Sequence, residues 1–129
     1  GSKEMNLNEY FESNNRGTGV LATSDNEGRV DAAIYARPHV VDDQTLAFIM
    51  DDRQSYHNVA QNPHAAFLFR EAADGYQGKR LHLTRTREEN DPQKILHLRR
   101  RTTPDECQQL DGKRLVFFHV DKVRPLVGD

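Results

Sequence analysis

The chain has 129 residues, the length of one ordinary domain and too short for two. Its 18 Lys and Arg residues against 20 Asp and Glu residues give a formal net charge of −2, which excludes a simple basic nucleic-acid-binding protein. No apolar run approaches the roughly 20 residues that a membrane-spanning helix needs, and no secretory leader is recognisable. Gly1-Ser2 is typical of a cloning scar, so we expect one soluble, cytoplasmic domain over residues 3–129.

The small apolar content predicts that this domain needs a partner. Hydrophobic residues make up 36 % of the chain, and a domain of this size has a thin margin of stability. Anything that binds only the native state adds to that margin, so we expect a dimer, a bound cofactor or both. The single cysteine, Cys107, excludes an internal disulfide and a four-thiolate zinc site. With no base nearby it is predicted to be an inert thiol.

The first third of the chain predicts a short helix and a hairpin. The helix spans residues 6–14, with Asn6 at the capping position and an acid three residues later. Strands over residues 20–23 and 29–37 follow, joined by a turn that ends in Gly28, where a positive φ is expected. The second strand alternates regularly, with Val30, Ala32, Ile34 and Ala36 on one face and Asp31, Ala33, Tyr35 and Arg37 on the other.

Pro38 ends the ladder or marks an edge, and further strands and helices are predicted after it. A strand over residues 45–50 is apolar on both faces, which indicates burial from both sides. The helix after it starts at Asp51 or Asp52 and is stopped by Asn62-Pro63. The remaining strands are predicted at residues 65–69, 79–87 and 115–123, and two capped helices at Asp91-Pro92 and Thr103-Pro104. About six strands and four short helices predict an antiparallel sheet or a small barrel.

The common catalytic motifs are missing from the sequence. It contains no Walker loop, no HExxH, no G-x-S-x-G and no CxxC. Gly17-Thr18-Gly19 is only a fragment of a dinucleotide fingerprint, and it leads into a strand rather than into a helix. The six histidines are scattered, which favours isolated surface or hydrogen-bonded histidines over a metal site. The run Arg99-Arg100-Arg101 suits a solvated helix end, with a partner contact as the alternative.

The strongest local feature is the beginning of the helix after residues 45–50. Arg53 and Ser55 lie there, where free N–H groups and partial positive charge suit a phosphate monoester. Arg37, at the end of the second strand, would add a second charge. In the alternative interpretation Ser55 caps the helix, and Arg53 pairs with Asp51 or Asp52 without any ligand.

The order of the elements is characteristic of a known family. Hairpin strands containing residues 19–23 and 32–37, a buried strand over 46–50, and a helix ending in Asn58-Val59-Ala60-Gln61-Asn62-Pro63 follow one another before the next buried strand. This pattern, over residues 17–123, resembles the pyridoxamine 5′-phosphate oxidase-like FMN-binding split barrels. The resemblance implies a mainly β fold, a six-stranded antiparallel Greek-key split barrel with short helices.

The resemblance also implies a function and a site. It implies a homodimeric flavoprotein with non-covalent FMN at the dimer interface, transferring hydride or electrons to a small-molecule redox substrate. The implied phosphate contacts are Arg37, Arg53 and Ser55, with His57 one turn further on. The implied contacts of the flavin ring are Ala33, Tyr35, Ala36, Ile49 and Met50. The implied contacts from the other subunit are Lys79, Arg80 and His82.

The chain departs from the family at one position and leaves two alternatives open. Family members commonly carry a lysine where this chain has Ser55, so Arg53 is left to supply the phosphate charge. One alternative is a haem-binding or haem-degrading split barrel that uses His57, His64 or His119 as axial ligand. The other is a non-catalytic ligand-binding dimer, which the missing lysine favours. No metal ligand and no general base are predicted.

Overall fold

The computed structural model describes residues 6–51, 53–91 and 113–128. In these ranges the chain forms one antiparallel sheet of seven strands and two short helices. The elements are α1 (Leu7–Ser13), β1 (Thr18–Ser24), β2 (Val30–Tyr35), β3 (His39–Asp42), β4 (Thr45–Met50), α2 (Gln54–Gln61), β5 (His64–Arg70), β6 (Gly78–Glu89) and β7 (Arg114–Pro125). The helices predicted at Asp91-Pro92 and Thr103-Pro104, the Arg99-Arg100-Arg101 run and Cys107 lie outside the described residues. Neither described helix combines the length and apolar character needed to cross a membrane.

The prediction of six strands is wrong by one, because β3 was missed. The β2 ladder ends at Tyr35, before Pro38 is reached, and after the proline the chain forms a four-residue strand that pairs with β4, with Val40 opposite Leu46. The Asp42 side chain ends β3 by accepting the N–H of Gln44 at 2.9 Å. A short strand between a proline and such a turn, paired on one side only, has too few alternating residues to be recognised from its pattern.

The predicted turn between β1 and β2 is confirmed. Gly28 has a φ of 84°, a left-handed conformation that glycine adopts without strain. Asp25 organises the turn: its Oδ1 accepts the N–H groups of Glu27 and Arg29, both at 2.9 Å, and its Oδ2 accepts Arg29 Nε at 2.7 Å. The Arg29 side chain and these backbone N–H groups hold the pKa of the Asp25 carboxyl below its usual range.

Asp25→Asn is therefore expected to destabilise the fold at neutral pH and to have less effect in acid. Because the pKa of Asp25 is lower in the folded chain than in the unfolded chain, its stabilisation is present above about pH 4. It is lost as the pH falls through the folded-state pKa. Urea denaturation of both proteins at decreasing pH measures the difference, with Asp43→Asn in the exposed β3–β4 turn as control. A difference that stays constant across this range would contradict the role given to Asp25.

The helix end that marks the family pattern is fixed by two asparagines. Asn58 is buried and donates from Nδ2 to Thr23 Oγ1 of β1 at 3.0 Å, which ties α2 to the sheet. Asn62 ends the helix, and its Oδ1 accepts the N–H of His64 at 3.1 Å where β5 begins. The helix begins at Gln54, not at Asp51 or Asp52, so the predicted start was too early.

The sheet curls so that two strands distant in its order face each other. The order is β2-β1-β5-β6-β7-β4-β3, with every neighbouring pair antiparallel. Tyr35 of β2 nevertheless packs edge-on against Phe48 of β4, with ring centroids 5.7 Å apart. No backbone pairing joins these two strands in the described chain, so the barrel is split between β2 and β4. The largest fully buried side chains fill it: Leu7, Phe11, Leu21, Leu46, Phe48, Met50, Phe67, Phe69, Leu81, Leu83 and Phe118.

One outer face of the barrel is apolar and uncovered within the described residues. The predicted alternation of β2 is confirmed, but its apolar side points away from the core, with Val30 82 % and Ile34 77 % exposed. On the neighbouring strands, Val20 lies opposite both Ile34 and Leu68. We call the surface across β2, β1 and β5 the apolar outer face; it consists of Val20, Ala22, Val30, Ala32, Ile34, Ala66 and Leu68. Contiguous apolar surface of this kind marks an interaction site.

Candidate functional site

Two adjoining clefts open at the split between β2 and β4. The smaller, the helix cleft, has a volume of about 320 Å³ and reaches the beginning of α2. It is lined by Asp31, Ala33, Ile34, Tyr35, Ile49, Asp51, Arg53, Gln54 and Ser55. The larger, the loop cleft, has a volume of about 680 Å³ and reaches the α1–β1 loop. It is lined by Asn15, Arg16, Tyr35, Ala36, Arg37, His39, Ala47, Phe48, Ile49 and Lys113. Tyr35 and Ile49 belong to both clefts.

The helix cleft contains a helix N-terminus without a side-chain cap. Arg53 occupies the capping position with an extended backbone, makes no side-chain capping bond, and the first turn carries no acid. Its side chain is 83 % exposed, and its Nε lies 4.0 Å from Asp51 Oδ2. The other Asp51 oxygen accepts Lys113 Nζ at 2.5 Å, so that carboxylate is already paired. The remaining positive end of the helix and the exposed guanidinium suit an anion.

Ser55 does not play the capping role considered above. It lies inside α2 and is 3 % exposed, and its hydroxyl is hydrogen-bonded to the Tyr35 phenol. Burial raises the pKa of Tyr35, and this hydrogen bond opposes the shift only in part. Tyr35 is therefore a neutral phenol at physiological pH, fixed between the two clefts. A lysine at position 55 would have to place its longer, charged side chain in this buried position beside Tyr35. The small serine hydroxyl fits there without that cost.

The structure brings together some of the predicted residues and separates others. Those that line the helix cleft are Ala33, Tyr35, Ile49, Arg53 and Ser55. Ala36 and Arg37 line the loop cleft instead, beside Tyr35 and Ile49. Met50 is fully buried in the barrel core. His57 is exposed on α2, with its ring 5.7 Å from that of Tyr56, and lines neither cleft.

The three predicted residues of β6 lie away from both clefts in the single chain. Arg80 lies opposite Leu68, and His82 opposite Ala66, so both border the apolar outer face. Lys79 lies opposite Phe69 and therefore points to the other side of the sheet. Arg80 is held by its Nε, which donates to the Pro125 carbonyl oxygen at 2.8 Å.

Sequence analysis missed the basic residues that accompany Arg37 in the loop cleft. Arg16 comes from the α1–β1 loop and His39 from the start of β3. Lys113 arrives only because β7 pairs with β4, with Arg114 opposite Met50. No local signal predicts that Arg16 and Lys113 meet Arg37, since these three residues are far apart in the chain, whereas His39 is only two positions from Arg37. Asp31 of the helix cleft was missed for a different reason, because an acid was not expected beside a phosphate.

The candidate haem ligands do not converge on the clefts. His57, His64 and His119 are all exposed, and none of them lines either cleft. His119 Nδ1 lies 2.8 Å from Asp121 Oδ1, and His64 Nδ1 lies 3.4 Å from Thr84 Oγ1. Across residues 6–51, 53–91 and 113–128, no three His, Cys, Asp or Glu side chains are arranged to hold a metal ion.

A seven-stranded antiparallel barrel split beside a short helix is the split-barrel fold of the pyridoxamine 5′-phosphate oxidase-like proteins, as the resemblance implied. Neither a protein-family model nor a curated protein matches the chain. Solved structures do match the chain, but their sequence identities are below 20 %, so the match shows that the fold is shared and nothing more.

Three of these structures illustrate the range. HupZ of Group A Streptococcus is 19 % identical, with a TM-score of 0.71 over 95 % of this chain and 94 % of that one. An FMN-binding protein of Syntrophomonas wolfei is 16 % identical, with a TM-score of 0.70 over 86 % and 78 %. HutZ of Vibrio cholerae, described as a heme storage protein, is 16 % identical, with a TM-score of 0.70 over 94 % and 95 %.

Proposed function

We propose that this protein is a homodimeric flavoprotein that binds FMN non-covalently in the helix cleft and acts as an oxidoreductase on a small molecule. One observation carries the proposal. Residues assigned to FMN from the family resemblance line a single cleft, although they come from three elements: Ala33 and Tyr35 from β2, Ile49 from β4, and Arg53 and Ser55 from the start of α2.

The helix end of the cleft fits a phosphate group. The uncapped amides of α2 supply donors, and Arg53 supplies a mobile positive charge. Two acids, Asp31 and Asp51, line this cleft. Lys113 pairs with Asp51, so the negative charge of Asp31 is the one that would repel a bound anion. A phosphate bound here would complete the hydrogen bonding of the helix N-terminus and compete with Asp51 for Arg53.

The walls of the cleft fit a flat aromatic ring. Ala33 and Ile49 supply small and apolar surface from the two facing strands, and Tyr35 supplies a fixed phenol between them. Bound FMN would supply the hydride or electron transfer. The residues of this chain bind the phosphate, orient the ring and exclude water from one side of it. The half-buried Tyr35 hydroxyl would hold a hydrogen bond at the ring edge.

A second copy of this chain is the partner proposed for the apolar outer face. The residues of this face carry no charged side chain, whereas Arg70, Arg80 and His82 stand at its border, an arrangement typical of an interface core and rim. Ile34 belongs both to this face and to the wall of the helix cleft. A partner on the face would therefore cover the cleft from outside and bring its own β6 residues near the cofactor.

An absorbance spectrum after addition of FMN and gel filtration tests the proposal. We expect the near-ultraviolet and blue bands of oxidised flavin to elute with a dimer-sized peak, and bleaching of the blue band by a reduced nicotinamide. A parallel sample receives haemin. A Soret band there, with no retained flavin, would favour the haem alternative. A dimer that retains neither flavin nor haem would favour the non-catalytic alternative.

A further inference from the structure

The loop cleft concentrates positive charge in a chain whose net charge is negative. Three cationic side chains line it from separate segments, Arg16, Arg37 and Lys113, and His39 lines it beside Arg37. Of the described residues, no Asp or Glu lines this cleft. The carboxylates that pair with two of the cations, Glu12 and Asp51, lie outside its lining. The cleft therefore presents cations to a ligand, and the carboxylates that pair with two of them do not line it.

Arg37 is fixed in a way that leaves most of its guanidinium available. Its side chain is 17 % exposed, and its Nη1 is held by the Phe11 carbonyl oxygen at 3.0 Å and Glu12 Oε2 at 3.1 Å. Among the described residues, Nε and Nη2 of Arg37 have no hydrogen-bond partner. Neither atom is among the fully buried side-chain nitrogens that lack a partner, so both are accessible. A guanidinium edge that is held in place and has free N–H groups binds carboxylate or phosphate in a bidentate manner at little entropic cost.

Arg16 and Lys113 complement Arg37 in different ways. Arg16 is exposed in the α1–β1 loop and makes no ion pair within the described chain, so it is free to close over a ligand. Lys113 is anchored at the wall of the cleft by its ion pair with Asp51. Ala47 and Ile49 provide an apolar floor that leads to Tyr35, the residue shared with the helix cleft.

We propose that the loop cleft binds the oxyanion group of a small molecule, a carboxylate or a phosphate, between Arg37 and Arg16, with the body of the molecule over Ala47 and Ile49. The binding itself does not depend on FMN. The interpretation of this cleft as the substrate site of an oxidoreductase rests on the proposed function. In that case the redox substrate is an anion, and its reactive part is directed at Tyr35, the residue shared with the helix cleft.

Calorimetric titration of the full chain in chloride buffer tests this site, with inorganic pyrophosphate and succinate as separate probes. We expect saturable binding of at least one probe. Binding of pyrophosphate alone assigns a phosphate ligand, and binding of succinate alone assigns a carboxylate ligand. Each titration is made with and without FMN. FMN binding is measured separately. A protein that releases FMN but binds a probe would therefore contradict the flavin proposal and support the oxyanion site.

Two variants locate the binding. Arg37→Gln and Arg16→Gln are each expected to weaken the probe by about tenfold or more, since each removes a charged contact. Arg37→Gln removes contacts to Phe11 and Glu12 of α1 and could therefore disturb folding. Arg16 is exposed, so Arg16→Gln tests the same site without that complication. Arg70→Gln is the matched control, an exposed arginine that lines neither cleft. Absence of binding by both probes, or equal binding by Arg16→Gln and the control, would overturn the site.

Discussion

Ile34→Asp is expected to convert the proposed homodimer into a monomer, raising its dissociation constant by about 100-fold or more. Ile34 is 77 % exposed in the single chain and lies opposite Val20 on the apolar outer face. In a twofold interface the substitution buries two carboxylates without partners, each at a cost of several kcal/mol. Sedimentation velocity over a range of concentrations measures the shift.

Two further variants separate the interface from the cleft. Val41→Asp also places a charge on an exposed apolar residue, 46 % exposed, but this residue lies on β3, which is no part of the apolar outer face, so the variant should leave the proposed dimer intact. Leu68→Asp lies on that face and lines neither cleft, so it should dissociate the dimer without placing a charge in the helix cleft. If Leu68→Asp and Ile34→Asp both remain dimeric, the subunits meet through another surface.

Arg53→Ala is expected to weaken FMN by about 2 kcal/mol, or about 30-fold in dissociation constant, the typical loss for one charged contact to a phosphate. Among the described residues, the only ion-pair contact of the Arg53 side chain is a 4.0 Å approach to Asp51, so its removal is expected to leave the fold unchanged. Quenching of flavin fluorescence on binding gives the affinity. The discriminating ligand is riboflavin, which lacks the phosphate and should bind both proteins equally.

Arg70→Ala serves as the control for this measurement. Arg70 is also an exposed arginine, but it stands at the end of β5, where its guanidinium donates to the Gly75 carbonyl oxygen and lies over the Tyr76 ring. Its removal should not change the affinity for FMN. Equal affinities of Arg53→Ala and Arg70→Ala for FMN would show that the phosphate does not lie at the start of α2.

Much of the fold was predictable because the residues responsible act over short distances. Gly28 permits the left-handed turn between β1 and β2. Asn62-Pro63 ends α2 directly after its last residue, Gln61. The capping bond that Glu9 N–H donates to Asn6 Oδ1, 3.0 Å long, likewise involves neighbours in the chain. β3 escaped prediction because four residues after Pro38 become a strand only where β4 offers them a free edge.

The candidate site was predictable only in part, for the same reason. The position of Arg53 at the start of a helix follows from the local pattern, and so does the anion preference of that helix end. The tie between Ser55 and Tyr35 does not, because it forms only when the barrel brings α2 against β2. The loop cleft was missed altogether, since Arg16, Arg37 and Lys113 meet only in the assembled barrel.

The sequence by itself determined the order of the hairpin, the buried strand and the helix, and the period-two alternation of β2. That alternation cannot say which face meets the core, because either direction has the same period. The curl of the sheet decided it: Tyr35 packs against Phe48 across the split, and Ile34 is thereby turned outward. The same curl decided that two clefts lie side by side at Tyr35, because only long-range pairing brings β2, β4 and the start of β7 together.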